Sequence, residues 1–201
     1  MPDFIYLASQ SPRRRQLLEQ IGVRHELLLP GAEEDAESLE SMLPGEDPTA
    51  YVQRVTALKL DAAVARHARR GLAPAPILCS DTTVALGQTI YGKPEDAQDA
   101  VRMLSELAGG EHQVLTAVAL QAGDRRFAAL SVSHVRFASM TSAQIAAYVA
   151  SGEPMGKAGA YAIQGPVAQY VENLNGSYTG IMGLPLFETA GLLRAAGVLR
   201  E

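Results

Sequence analysis

Phe4-Ile5-Tyr6-Leu7-Ala8-Ser9-Gln10-Ser11-Pro12-Arg13-Arg14-Arg15-Gln16-Leu17-Leu18 reads as a short apolar strand, a tight turn and the start of a helix. Ser11 is the expected N-cap, since its hydroxyl can accept from a free N–H of the first turn. Pro12 suits the first helical position, where its fixed φ is already helical. Three arginines then enter the turn where cations oppose the helix macrodipole, at roughly 0.3–1 kcal/mol each when exposed. A local rule broken this plainly points to a site. An anion at the helix N-terminus relieves the conflict, because backbone N–H groups, the Ser9 or Ser11 hydroxyls and guanidinium forks can converge on phosphate oxygens. The competing reading is a solvated basic turn.

Working outward, Gly22 is a C-cap and residues 25–29 read as a second strand. Glu33, Glu34, Asp35, Glu37, Glu40, Glu46 and Asp47 crowd between Gly31, Pro44 and Gly45, the pattern of a mobile acidic loop. Asp47-Pro48 opens a long helix to about Arg70, with Val52, Val55 and Ala62 or Ala63 on its buried face and Lys59 near them. Residues 77–80 form a short apolar strand running into Asp81-Thr82-Thr83, and 84–86 continue to a turn at Gly87-Gln88. Gly92-Lys93-Pro94 precedes a helix over 95–107.

Two alternating runs, 112–121 and 126–137, joined through Gly123-Asp124, predict an antiparallel hairpin, so the sheet is mixed. Thr141 to Gln144 is a capping box for a helix reaching Ser151. A glycine-rich stretch, 156–165, leads to a strand at 167–171, and Pro185 opens a last helix packed through Leu186, Leu192 and Leu193. The expected fold class is α/β, a mixed twisted sheet flanked by helices.

Composition narrows the ligand. The 201 residues are 47% hydrophobic, ample for a core, and the net charge of −5 argues against a broad nucleic-acid face. A small anion is favoured over a polyanion. Cys79 has no partner for a disulfide, the N-terminus lacks a basic stretch followed by an apolar run, and no run approaches the ~20 residues of a membrane span, so the expectation is a soluble cytoplasmic protein.

Asp81, just past a buried strand where α/β folds place ligands, suits a metal ligand or a general base; it equally suits a turn cap. Glu33 and Glu34 offer oxygens of the kind Mg²⁺ takes, or are solvated loop charges. Lys59 and Lys93 are candidate phosphate partners. Lys59 also reads as a helix lysine reaching solvent, whereas Gly92 and Pro94 hold Lys93 in a stiff turn. The Gln164 amide could meet a base edge or satisfy nearby backbone. The four histidines show no zinc spacing, there is no C-x-x-C or G-x-x-x-x-G-K-[ST], and Cys79 reads as core.

Leu7-Ala8-Ser9-Gln10-Ser11-Pro12-Arg13-Arg14, Ser80-Asp81-Thr82 and Gly92-Lys93-Pro94 together resemble the signature of the Maf family of nucleoside triphosphate pyrophosphatases. Tyr51-Val52-Gln53-Arg54 with Lys59, Lys157 through Gly165, Asn175-Gly176-Ser177-Tyr178 and Gly183-Leu184-Pro185 extend the likeness over nearly the whole chain. Ser80 departs from the alanine that often precedes the Asp-Thr pair. The resemblance implies one elongated domain over 1–201, two-lobed around a central cleft as in Maf and ITPase-like proteins. It also implies hydrolysis of a nucleotide to its monophosphate and pyrophosphate with a divalent cation, Mg²⁺ or Mn²⁺.

On the same resemblance Asp81 carries the acid/base role, while Ser9, Arg13, Arg14, Glu34, Lys59 and Lys93 line the triphosphate and metal site. Arg13, Thr82 and Gln164 sort members by base, and Ala162-Ile163-Gln164-Gly165 resembles the branch acting on dTTP and UTP. Modified pyrimidine nucleotides are a further substrate class, and a homodimer is compatible with the family. Whether Asp81 is a base or a metal ligand stays open. The rival readings are a pyrophosphatase for 7-methyl-GTP or other modified nucleotides, and a non-catalytic nucleotide-sensing regulator of cell division.

Overall fold

β1 (Ile5–Leu7) is three fully buried residues, and it lies parallel to β2 (His25–Leu27) on one side and to β3 (Ile77–Leu86) on the other. Residues 4–35 and 38–199 are described by the computed structural model. β3 runs antiparallel to β5 (Glu111–Ala122), which forms a long hairpin with β6 (Arg125–Phe137), and β7 (Val171–Asn175) closes that side. β4 (Thr89–Tyr91) pairs with the end of β3. The sheet is mixed, as the hairpin pattern predicts.

Helices cover both faces. α1 (Pro12–Gln20) and α5 (Leu186–Ala195) pack Leu17, Leu18 and Leu193 against Leu7, Leu78, Val118 and Leu120. On the opposite face α2 (Pro48–Arg69) lays Val52 and Val55 on Ala85, Leu115 and Ala117, and Leu60 and Ala63 on Ile77 and Cys79. α3 (Ala97–Leu107) and α4 (Ser142–Ala150) close a separate core at the other end, around Val84, Val114, Phe137 and Tyr161. Each shared face buries a contiguous apolar set, at about 25 cal/mol per Å² removed from water.

The sheet has an opening, and β3 explains it. One edge of β3 pairs with β5 over its whole length, Ile77↔Gln121 to Ala85↔Gln113. On the other edge β1 meets only Ile77 and Leu78, and β4 only residues 84–86. Residues 79–83 thus face a gap between two neighbours that both fall short. Because strand side chains alternate, Asp81 points to the α2 face and Ser80 and Thr82 to the other, yet all three border that gap.

Several sequence expectations change. Asp81 is not past a short strand but in the middle of a ten-residue one, since Thr82 and Thr83 are good strand formers and β5 pairs with the whole run. Instead of a strand, residues 166–170 are a 3-10 turn (Pro166–Tyr170), and the strand follows it. Pro166 fixes φ and offers no N–H to a ladder. The second strand stops at Leu27. The described part of the acidic loop is tied down: the Tyr51 hydroxyl donates to Glu40 O at 2.9 Å, Arg54 binds Glu46 and Ser41 O, and Glu34 pairs with Arg66. Glu37 and the terminal Met1-Pro2-Asp3 lie outside the described residues. No helix among the described residues is long and apolar enough to cross a membrane.

Candidate active site

The gap opens into a cavity of about 530 Å³, within the range of small-molecule sites. Its walls include the turn after β1 with the first turn of α1, Glu40, Lys59 of α2, residues 80–82 of β3, Lys93, residues 155–158 with Tyr161, and residues 181–183.

At the α1 end the three arginines separate. Ser11 caps the helix, its Oγ accepting from Arg14 N at 3.5 Å. Arg14 Nε donates to Gly183 O at 2.7 Å, Nη1 to Ser9 Oγ at 3.1 Å and Nη2 to Thr82 Oγ1 at 3.5 Å. Its guanidinium therefore braces the β1 turn against β3 and the Gly183 turn. Burial, and then Arg13 beside it, lowers its pKa despite the field of Asp81. Arg13 lines the cleft with no acceptor among the described residues, and Arg15 is exposed and outside it.

At the α2 end the charges alternate. Lys59 Nζ lies 2.5 Å from Asp81 Oδ1 and 2.7 Å from Glu40 Oε1, and Glu40 Oε2 lies 2.9 Å from Lys93 Nζ. Asp81 is 8% exposed, enough to be reached from the cavity. Burial raises the Glu40 pKa, but Lys59 and Lys93 outweigh it and hold the carboxyl below its ordinary value. Lys93 is positioned from behind, because Gly159 N donates to the Gly92 carbonyl at 3.1 Å. Gly159 sits at φ +67°, and a Cβ there would come within 2.8 Å of Val84, so only glycine fits that close approach.

Ser9, Arg13, Arg14, Lys59, Asp81, Thr82 and Lys93 come together as expected. Glu34 does not join them. Its carboxylate is held by Arg66 at 2.6 Å and Arg69 at 2.9 Å, and hydrogen bonding from Arg66 takes its pKa to about 2. Gln164 is exposed and outside the cavity lining. Thr82 Oγ1 is shared with Thr116 Oγ1 at 3.0 Å.

Two cleft residues escaped the sequence reading. Glu40 was one acidic residue among several in its loop. Lys157, in the glycine-rich stretch, lines the cleft with its Nζ donating to the Glu153 carbonyl, and burial together with Arg13 lowers its pKa. Glycines flanking Lys157 at 156 and 159 were a usable signal, of the same kind that marked Lys93.

The Maf-like protein family matches residues 4–196. A dTTP/UTP pyrophosphatase of Polaromonas sp. is 68% identical over 98% of this chain and 97% of its own length. That of Albidiferax ferrireducens is 64% identical over 98% of both. Among solved structures, a nucleoside-triphosphatase / dITP/XTP pyrophosphatase from Mycobacterium abscessus is 16% identical over 68% of this chain and 75% of its own, with a TM-score of 0.41. The chain belongs to the Maf-like family.

Proposed function

We propose that this protein hydrolyses dTTP and UTP, and modified pyrimidine nucleotides of similar shape, to the nucleoside monophosphate and pyrophosphate. The observation that carries the reading is one carboxylate, Asp81, on the floor of a cleft walled by Arg13, Arg14, Lys59, Lys93 and Lys157, in a chain whose net charge is −5. Cations gathered against the overall charge serve a compact polyanion. The names of the full-length relatives support dTTP and UTP as substrates. One sheet running through both core regions supports a single domain.

In the mechanism, Arg13 and Lys157 meet the triphosphate from one wall and Lys59 and Lys93 from the other, neutralising charge that grows on the departing pyrophosphate. Asp81, oriented by Lys59, accepts the proton of the attacking water. A divalent cation fits the donor chemistry. Asp81 supplies a hard oxygen, and Mg²⁺ or Mn²⁺ takes one or two carboxylates with waters and phosphate oxygens. No group of three or more His, Cys, Asp or Glu occurs among the described residues, so substrate and water would complete the shell beside Asp81. When bound, the ion would shield the phosphate charge.

Gln164, exposed and three residues past the cleft-lining Tyr161, is the candidate contact for the pyrimidine ring. Pyrophosphate release from a panel of dTTP, UTP, 7-methyl-GTP, dATP and GTP tests the proposal. Selective turnover of dTTP and UTP is expected; absence of turnover, or preference for 7-methyl-GTP, removes it.

A further inference from the structure

Glu40 presents one carboxylate to two ammonium groups at once: Oε1 lies 2.7 Å from Lys59 Nζ, and Oε2 2.9 Å from Lys93 Nζ. This is where a substrate oxyanion would sit if Lys59 and Lys93 grip the triphosphate. The loop does not depend on that carboxylate for its place. The Glu40 backbone carbonyl accepts from Tyr51 OH at 2.9 Å, Ser41 O accepts from Arg54 at 2.9 Å, and Glu46 is paired with Arg54 at 2.6 Å. All three anchors leave the Glu40 side chain free to rotate, and that side chain is 28% exposed. It can therefore leave the lysines while the 3-10 turn Ser38–Glu40 stays on α2.

We propose that Glu40 is an internal stand-in for a substrate phosphate: it occupies Lys59 and Lys93 in the ligand-free protein and yields them to phosphate oxygens when nucleotide binds. In the ligand-free protein it neutralises two ammonium groups that face the same space, while Lys59 is held independently by Asp81 at 2.5 Å. Each nucleotide that binds must displace one carboxylate. Glu40 thus sets substrate affinity and not the chemical step. The inference rests on the reading of the cleft as a triphosphate site.

The test uses the full chain with Glu40→Gln and Glu40→Asp, titrated with inorganic pyrophosphate in the absence of metal and assayed with dTTP. Two partly exposed ion pairs are released, so Glu40→Gln should bind pyrophosphate about five- to tenfold more tightly at low salt. The gain should shrink at high salt as screening weakens both competitors. KM for dTTP should fall in parallel with kcat within about twofold, since uniform binding alone has changed. The ligand-free variant should melt at a lower temperature, and Glu40→Asp, which keeps the charge on a shorter arm, should lie between the two.

Unchanged or weaker pyrophosphate binding by a folded Glu40→Gln overturns the proposal. So does a raised metal requirement with metal-free pyrophosphate binding unaltered, which would make Glu40 a metal ligand, and so does a fall in kcat at constant KM. If the unmodified protein turns over no nucleotide while Glu40→Gln still binds pyrophosphate more tightly, the substrate reading fails and the role of Glu40 stands.

Discussion

Arg13 and Arg14 are neighbours in the sequence, but the structure assigns them opposite energetic roles, and alanine substitutions should separate them. Arg14→Ala removes two well-formed charged hydrogen bonds, to Gly183 O at 2.7 Å and to Ser9 Oγ at 3.1 Å, and a long third one at 3.5 Å. Such bonds contribute roughly 1.5–3 kcal/mol each. The low end applies, because neither acceptor is orphaned: Gly183 O keeps Ser80 Oγ at 3.0 Å, and Ser9 Oγ keeps Ser11 N at 3.2 Å. Against a loss of about 3 kcal/mol stands the removal of a cation from a first helical turn, worth roughly 0.3–1 kcal/mol.

The net is about 2 kcal/mol of destabilisation, which for a chain of this length lowers Tm by roughly 4–8 °C. Arg13→Ala loses no hydrogen bond among the described residues and relieves repulsion with Arg14 and Lys157, so Tm should hold or rise slightly. Its cost should appear only as weaker pyrophosphate binding. Thermal denaturation with and without pyrophosphate reads both quantities. Equal melting of the two variants, or an Arg14→Ala protein as stable as the parent, would refute the division of roles.

Asp81→Asn should keep the fold, since Lys59 retains Glu40 at 2.7 Å, while kcat falls by about 10²–10⁴, as for loss of a general base; near-parental turnover would reject that role. His112 is 2% exposed, with Nε2 on the Tyr161 hydroxyl at 2.8 Å and Nδ1 unpartnered, and burial lowers its pKa to about 4 from 6.5. Its proton binds the unfolded chain more tightly, so the stability it contributes is complete above pH 6.5 and lost as pH falls toward 4. At about 1.4 kcal/mol per pH decade that is about 3 kcal/mol. Urea denaturation at pH 7 and pH 4.5 should show this loss shrinking in His112→Phe, and an equal loss in both proteins contradicts it. Glu34, with its pKa near 2, should add a separate decline only below pH 4.5. Gln164→Glu should narrow the preference for dTTP over dATP if the amide reads the base, and an unchanged ratio of kcat/KM would remove Gln164 from that role.

What was legible in the sequence was local. Ser11 and Pro12 announce α1, Asp47-Pro48 announces α2, and Thr141 with Gln144 announces α4, each through bonds closed within four residues. Arg13 and Arg14, whose conflict with the helix dipole was visible in the sequence, both line the cleft. Local pattern says less about strand partners. It ended the third strand before Asp81 because Asp is a poor strand former, but pairing with β5, set by residues 113–121, carries the strand straight through.

The same limit explains Glu34 and Glu40. Both are acidic residues in one loop, and composition cannot rank them. The choice is made by helix phase on α2: Lys59 and Arg66 lie seven residues apart, two turns along one face, so the loop running beside α2 meets Arg66 with Glu34 and Lys59 with Glu40. Arg66 is also bound to the Leu28 carbonyl at 2.9 Å, which fixes its guanidinium at the β2 end and draws Glu34 there with it. The carboxylate left for the cleft is the one at the other turn of the helix. The site thus depends on which loop residue stands opposite which turn of α2, a relation that exists only once α2 has docked on β3 and β5.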